Sequence, residues 1–278
     1  MFIEKLAGFK DILYNPPIKP EDWCDNQPCV EIWGYVISQP LSSVLVYLTA
    51  IITLIVAVYF LRSRKCEKSR FYMGAAFLLV GIGAALAGTS YQAFGYEIKC
   101  RAREFCSWTS WWEIAYMITT VIGVSALYVG VAYVLSPEKS RRTVKIYAFI
   151  SNVGYLAIVV VGIIIPVRFL ISFELMLIFV SPVYFAIFYT SLRSYLKNHR
   201  NQEYIVSKKL VIAALLLFVA IGGYYMYSVL GITEVLWERG IWFSENDVLH
   251  ILMIVWVLYV YKALGPLVRD NVFIEGRK

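Results

Sequence analysis

Seven apolar stretches alternate with short polar segments along the chain, at about residues 35–61, 71–94, 111–135, 144–165, 169–192, 209–230 and 247–266. Each reaches the roughly 20 residues that a helix needs to cross a hydrocarbon layer about 30 Å thick. A soluble core has no use for seven separate runs of this length. The pattern predicts an all-α integral membrane protein, a bundle of seven transmembrane helices whose backbone polar groups are satisfied within each helix. The rest divides into a segment over 1–32, a helical domain over 33–269 and a short tail over 270–278, with no room for a second folded domain.

Individual residues refine the elements. Pro40 predicts a kink near the start of span one. Gly81/Ala85 and Ala84/Gly88 are small pairs four apart, which permit close backbone approach and predict a central place for span two. Trp108, Trp111 and Trp112 read as an aromatic interface belt ahead of span three. Pro166 and Arg168 mark a tight turn between spans four and five, and Pro182 falls inside span five. Phe2, Ile3, Leu6, Phe9 and Leu13 share one helical face, so the first residues are expected to lie on the membrane surface or to cover the bundle mouth.

Composition agrees: 60% of residues are hydrophobic, far above soluble norms. The net charge of +7 is informative through its distribution. The first, third and fifth loops with the tail, counted with the adjoining span ends, hold 18 of the 26 Lys and Arg residues and only 5 of the 19 acids. Cytoplasmic loops carry such an excess, so the N-terminus is expected outside and the C-terminus in the cytoplasm. The basic residues are thereby assigned to topology and to anionic headgroups rather than to nucleic acid. His199 falls in the third basic loop and reads as a surface residue.

Cys24, Cys29, Cys100 and Cys106 all fall on the outer side of this topology, and Cys66 alone falls inside. An even set in the oxidising compartment and a lone thiol in the reducing one is the pattern of disulfide chemistry. Local pairs, Cys24–Cys29 and Cys100–Cys106, are the expected connectivity among the three that four cysteines allow. A four-thiolate zinc site is the alternative.

Polar side chains gather at the outer level of the spans. Ser90 and Gln92 close span two, Glu113 opens span three, Glu174 opens span five, and Asn246, Asp247 and His250 open span seven. Ionisable groups at membrane depth are functional candidates. Asp247 and His250 are three apart and share a helix face, an arrangement that orients an imidazole as a base or as a metal ligand. For each residue a structural role competes: Asp247 as a complement to the helix dipole, Asn246 as an N-cap, His250 as a satisfied core histidine. With only His199 and His250 present, a bis-histidine haem within the bundle is excluded.

Three segments, Gly88-Thr89-Ser90-Tyr91-Gln92, Trp112-Glu113-Ile114 and Asn246-Asp247-Val248-Leu249-His250, resemble the active-site segments of alkaline ceramidases and related seven-helix membrane hydrolases. Those enzymes use a Ser and a His at the end of span two, an acid early in span three and a histidine pair in span seven. The resemblance implies a zinc-dependent hydrolase of lipid amides or esters. Ser90, Glu113, Asp247 and His250 would be catalytic, and Glu113, Asp247 and His250 would hold the metal. Gln92 and Asn246 stand where two of the family's histidines belong. Retinal proteins share the seven-helix layout, but the corresponding lysine would be Lys262, near the inner end of span seven.

Two classes of function follow. The first-ranked is non-catalytic: an outward-facing polar pocket of Gln92, Glu174, Asn246 and Tyr224 that binds a lipid, a small ligand or a partner, either another membrane protein or a second copy. Exposed aromatics such as Trp237 and Trp242 suit an amphipathic ligand. The second is the ceramidase-like hydrolase, and a retinal photoreceptor is a remote third.

Overall fold

The computed structural model describes residues 18–25, 27–165, 167–197 and 202–270. The apolar face over 2–13, Pro166, His199 and the tail over 271–278 lie outside them. Among the described residues, seven helices are long and apolar enough to cross a membrane. They are α1 (Pro40–Arg62), α2 (Lys68–Ala87), α3 (Trp111–Leu135), α4 (Glu138–Ile164), α5 (Phe173–Lys197), α6 (Gln202–Val229) and α7 (Glu245–Tyr259). α2 and α7 each end in a π-helical turn, Gly88–Ala93 and Val260–Leu264.

The outward faces of these helices are apolar as well as the inward ones. Val44, Ile51 and Ile55 of α1 and Phe149, Ile150 and Ile164 of α4 are all exposed. Such continuous apolar surface suits hydrocarbon and would drive aggregation in water.

The first span begins later than the hydropathy suggests. Residues 35–38 form a strand, β2 (Tyr35–Ser38), paired antiparallel with β1 (Cys29–Ile32). Val30 and Ile32 alternate with Glu31 and pair with Ile37 and Tyr35, which is the strand period, and Trp33-Gly34 close the hairpin with both residues at positive φ. Pro40 then occupies the first helical turn, where its missing N–H costs nothing, and it starts α1 rather than kinking it.

α3, not α2, is the central helix. In its most apolar window 61% of residues are buried, against 39% for α2. The small residues of α2 serve one neighbour each: Gly74, Gly81 and Gly88, at sevenfold spacing, lie against Leu61, Leu54 and Val46 of α1. α3 supplies its own close approaches to α2 at Gly123 and Gly130, against Val80 and Met73. A Cβ added at Gly88 would sit 2.3 Å from Val46 Cγ1. Gly88→Ala is therefore expected to destabilise the protein by about 1–3 kcal/mol. Gly222→Ala, where nothing lies within 4 Å, is the control in thermal unfolding of the detergent-solubilised chain.

The core joins four helices through aromatic rings. Phe60 of α1 stacks on Phe77 of α2 at 5.8 Å, and Phe77 meets Trp256 of α7 at 5.7 Å. The Trp256 indole donates to the Ala213 carbonyl of α6 at 2.9 Å.

The two ends of the bundle differ. One carries both disulfides, Cys24–Cys29 and Cys100–Cys106, which consume the four cysteines in the expected local pairs. Here the hairpin, a short helix Gly95–Lys99 and the loop after it form a cap. The Trp23 indole donates to Ser38 Oγ at 2.9 Å, the Val36 amide to Glu97 Oε1 at 3.0 Å and the Cys106 amide to the Ile18 carbonyl at 2.8 Å. The opposite end gathers the basic loops. There the buried Arg70 donates to the carbonyls of Gly265 and Val268, both at 2.9 Å, and to Ser63 Oγ at 2.7 Å.

Candidate functional site

Ser90, Glu113 and Asp247, singled out from the sequence, fall into two separate buried groups, both at the disulfide-bearing end. The first is built where α2 loosens into its π-helical turn, a distortion that widens the helix and often marks functional positions. Ser90, on that turn, is fully buried and donates to Glu113 Oε1 at 2.8 Å. Its Oγ also lies 2.6 Å from Ser110 Oγ. Ser110 caps α3 by accepting the Glu113 amide. The same Glu113 oxygen is ion-paired with Lys99, itself 7% exposed, whose Nζ lies 5.0 Å from the Tyr91 ring centroid.

Glu113 is thus neither a free base nor a metal ligand in waiting. It is one half of a buried salt bridge, and the arrangement locks the short helix Gly95–Lys99 onto the start of α3. A buried pair of this kind holds only if every remaining lone pair is satisfied, which is the part that Ser90 plays.

The second group sits between α1 and α7. Ser244 is the N-cap of α7 and Asp247 its third helical residue, in a capping box. The Ser244 amide donates to Asp247 Oδ2 at 2.6 Å, and Ser42 of α1 donates to Asp247 Oδ1 at 2.8 Å. Both serines and the aspartate are essentially inaccessible. Two hydrogen bonds and the helix dipole hold this carboxylate. One turn later Thr49 Oγ1, which donates to the Leu45 carbonyl of its own helix at 2.8 Å, lies 3.4 Å from the His250 carbonyl, where the same two helices pack.

Other expectations are corrected by these contacts. Asn246 is the second helical residue and is half-buried; the cap is Ser244. Glu174 is exposed in the first turn of α5, where the dipole favours an acid, and does not turn inward. Tyr224 is half-buried and packs edge-on against Tyr225 at 5.3 Å. Gln92 and His250 are buried, and Gln92 Oε1 and His250 Nδ1 have no hydrogen-bond partner among the described residues. Lys262 is exposed in the π turn at the basic end.

Ser90 and Glu113 therefore meet, as the resemblance implies, while Asp247 is committed to α1. Among the described residues no three His, Cys, Asp or Glu side chains gather as a metal site, so Glu113, Asp247 and His250 do not form the expected zinc ligand set. The reason is spatial: one carboxylate is bound up between α2 and α3 and the other between α1 and α7. Lys99, Ser110, Ser42 and Ser244 complete the two groups and escape a reading based on carboxylates and histidines. The Ser-x-x-Asp spacing of a capping box was the available signal for Ser244.

Five cavities open among the described residues away from Ser90, Glu113, Asp247 and His250, none of which lines them. At the disulfide-bearing end, a cavity of about 420 Å³ opens between the segment before β1 and the short helix Ile232–Glu238. Asp25, Glu234 and Glu238 bring carboxylates to it, and Trp237 and Trp242 bring indoles. The Trp237 Nε1 is buried with no acceptor among the described residues. Three acids and two aromatic surfaces, with no cation among the described lining residues, form a setting for a positively charged group.

A family model described as a family of unknown function, DUF6962, matches residues 42–267, and the chain belongs to that family. Comparison with curated proteins and with solved structures gives no match.

Proposed function

We propose that this DUF6962 member is a multi-pass membrane protein with its N-terminus outside the cytoplasm, and that its disulfide-bearing end is a non-catalytic binding site for a small or lipid-borne ammonium ligand. Multi-pass insertion is supported by seven helices of spanning length and apolar outward faces. The orientation is supported by the 18 of 26 basic residues that sequence places at the opposite end, and by the two disulfides at this one.

The observation that carries the binding reading is the cavity of Asp25, Glu234, Glu238, Trp237 and Trp242. Carboxylates neutralise the ligand's charge, indole faces attract it through the ring quadrupole, and the unpartnered Trp237 N–H offers a donor to an acceptor oxygen on the same ligand. A ligand with an ammonium group and a nearby oxygen satisfies all three. Choline and acetylcholine are suitable probes. Trp242→Ala is expected to weaken their binding about tenfold in calorimetric titration of the purified chain. Equal affinity for the uncharged isostere 3,3-dimethylbutanol would overturn the reading.

A hydrolase reading keeps one supporting observation, the 2.8 Å contact of Ser90 with Glu113. Its weakness is Lys99, which neutralises that carboxylate. Turnover of a ceramide by the purified chain, abolished in Ser90→Ala, would establish it over the binding reading.

A further inference from the structure

At the basic end, the loop after α1 and the starts of α2 and α4 surround a cavity of about 460 Å³. Arg64, Lys65, Lys68 and Lys145 line it, with Glu67 as the one acid among the described lining residues. Its wall includes the Tyr133 ring, 5% exposed, which stacks on Tyr72 at 5.7 Å. Three cations from two helices converge on that one ring. Arg141 Cζ lies 5.3 Å from its centroid, and Lys68 Nζ and Lys145 Nζ each lie 5.8 Å from it.

One ring attracts each cation, but it cannot act as a counter-ion for three. The cations repel one another, and the neighbouring acids are already engaged. Glu67 accepts the Asp270 amide. Asp270 accepts the amides of Lys68 and Ser69, so the N-terminus of α2 is capped from within the protein. Glu138 faces Arg141 at 3.6 Å. Neither the Lys68 nor the Lys145 ammonium has a carboxylate within ion-pair distance among the described residues. Convergent cations beside a stacked aromatic wall, with space between them, call for an anion from outside.

The surroundings point to what carries that anion. Phe71 of α2, at the cavity rim, is exposed, and Ile146, Phe149 and Ile150 continue from Lys145 along α4 as an exposed apolar strip. An acyl chain fits that strip while its headgroup fills the cavity.

We propose that this cavity is a site for a phosphate group held between Lys68 and Lys145, and that the phosphate is borne by an anionic lipid of the adjoining leaflet. This site lies at the other end of the bundle from the ammonium cavity and does not depend on that reading.

The test uses the full chain in neutral detergent, titrated with a fluorescent phosphatidic acid. Lys68→Gln and Lys145→Gln are each expected to weaken binding about fivefold, and the pair about 25-fold. Lys208→Gln, an exposed lysine of the same end but outside the cavity, removes the same charge and is expected to change affinity less than about twofold. Equal losses from Lys208 and Lys145 would mean diffuse attraction and would overturn the site. Displacement of the lipid by inorganic phosphate at matched concentration would overturn the lipid as its source. Cys66, a free exposed thiol in the same lining, gives a second readout that needs no charge variant. Bound lipid is expected to slow its alkylation by a neutral maleimide, and an unchanged rate at saturating lipid counts against the site.

Discussion

Lys99→Ala alone is expected to lower stability by about 3–5 kcal/mol, the largest single effect foreseen outside the aromatic core, because it strands the Glu113 carboxylate where 2% of that residue meets solvent. Ser90 would still donate to Glu113, but a hydroxyl cannot replace an ammonium as a counter-charge. The double variant Lys99→Met with Glu113→Gln is expected to recover most of the loss, since it removes both desolvation penalties and leaves the Ser90 bond with an amide acceptor. A double-mutant cycle in reversible unfolding measures the coupling. If Lys99→Ala unfolds at the wild-type midpoint, Glu113 is hydrated and the pair is peripheral. The cycle also separates a structural from a functional Glu113: a purely structural pair restores choline binding together with stability.

Arg70→Ala is the second large effect, at about 2–4 kcal/mol. The guanidinium satisfies the Gly265 and Val268 carbonyls, which the π turn at the end of α7 leaves without helical partners, and it reaches Ser63 at the end of α1. Its removal leaves two carbonyls and a large buried gap at once. Arg70→Lys is expected to restore less than half of the loss, because a single ammonium cannot span three acceptors set out for a planar fork. Unfolding midpoints rank the three proteins. Proteolysis near residues 260–270 is expected to quicken in Arg70→Ala; an unchanged cleavage rate would mean that the tail is held by other contacts.

The helices were legible because spanning length is a strong, one-dimensional signal, and the disulfide pairs because compartment and spacing agree. What escaped was local. The run from Tyr35 looked like the start of a span, but Val30-Glu31-Ile32 ahead of Trp33-Gly34 is a strand signal, and its partner strand lies inside that apolar run. The glycines of α2 announced close packing correctly, yet spacing cannot say how many sides of a helix are covered, and α3 took the centre. At the polar level, depth was readable and azimuth was not. Ser90, Glu113, Asp247 and His250 do share an end of the bundle, but which helix each one faces is set by packing between helices far apart in sequence. Lys99 was the costliest omission, since a lysine beside a disulfide loop reads as solvated until the cap folds it inward.

The bond from Ser42 to Asp247 joins the first spanning helix to the last. During synthesis, α1 leaves the ribosome some 200 residues before the segment that completes it. Until α7 arrives, the Ser42 hydroxyl faces an unfinished seam. Assembly is consequently decided late, and a chain stalled before residue 245 would present this polar seam to the quality-control machinery as a mark of incompleteness.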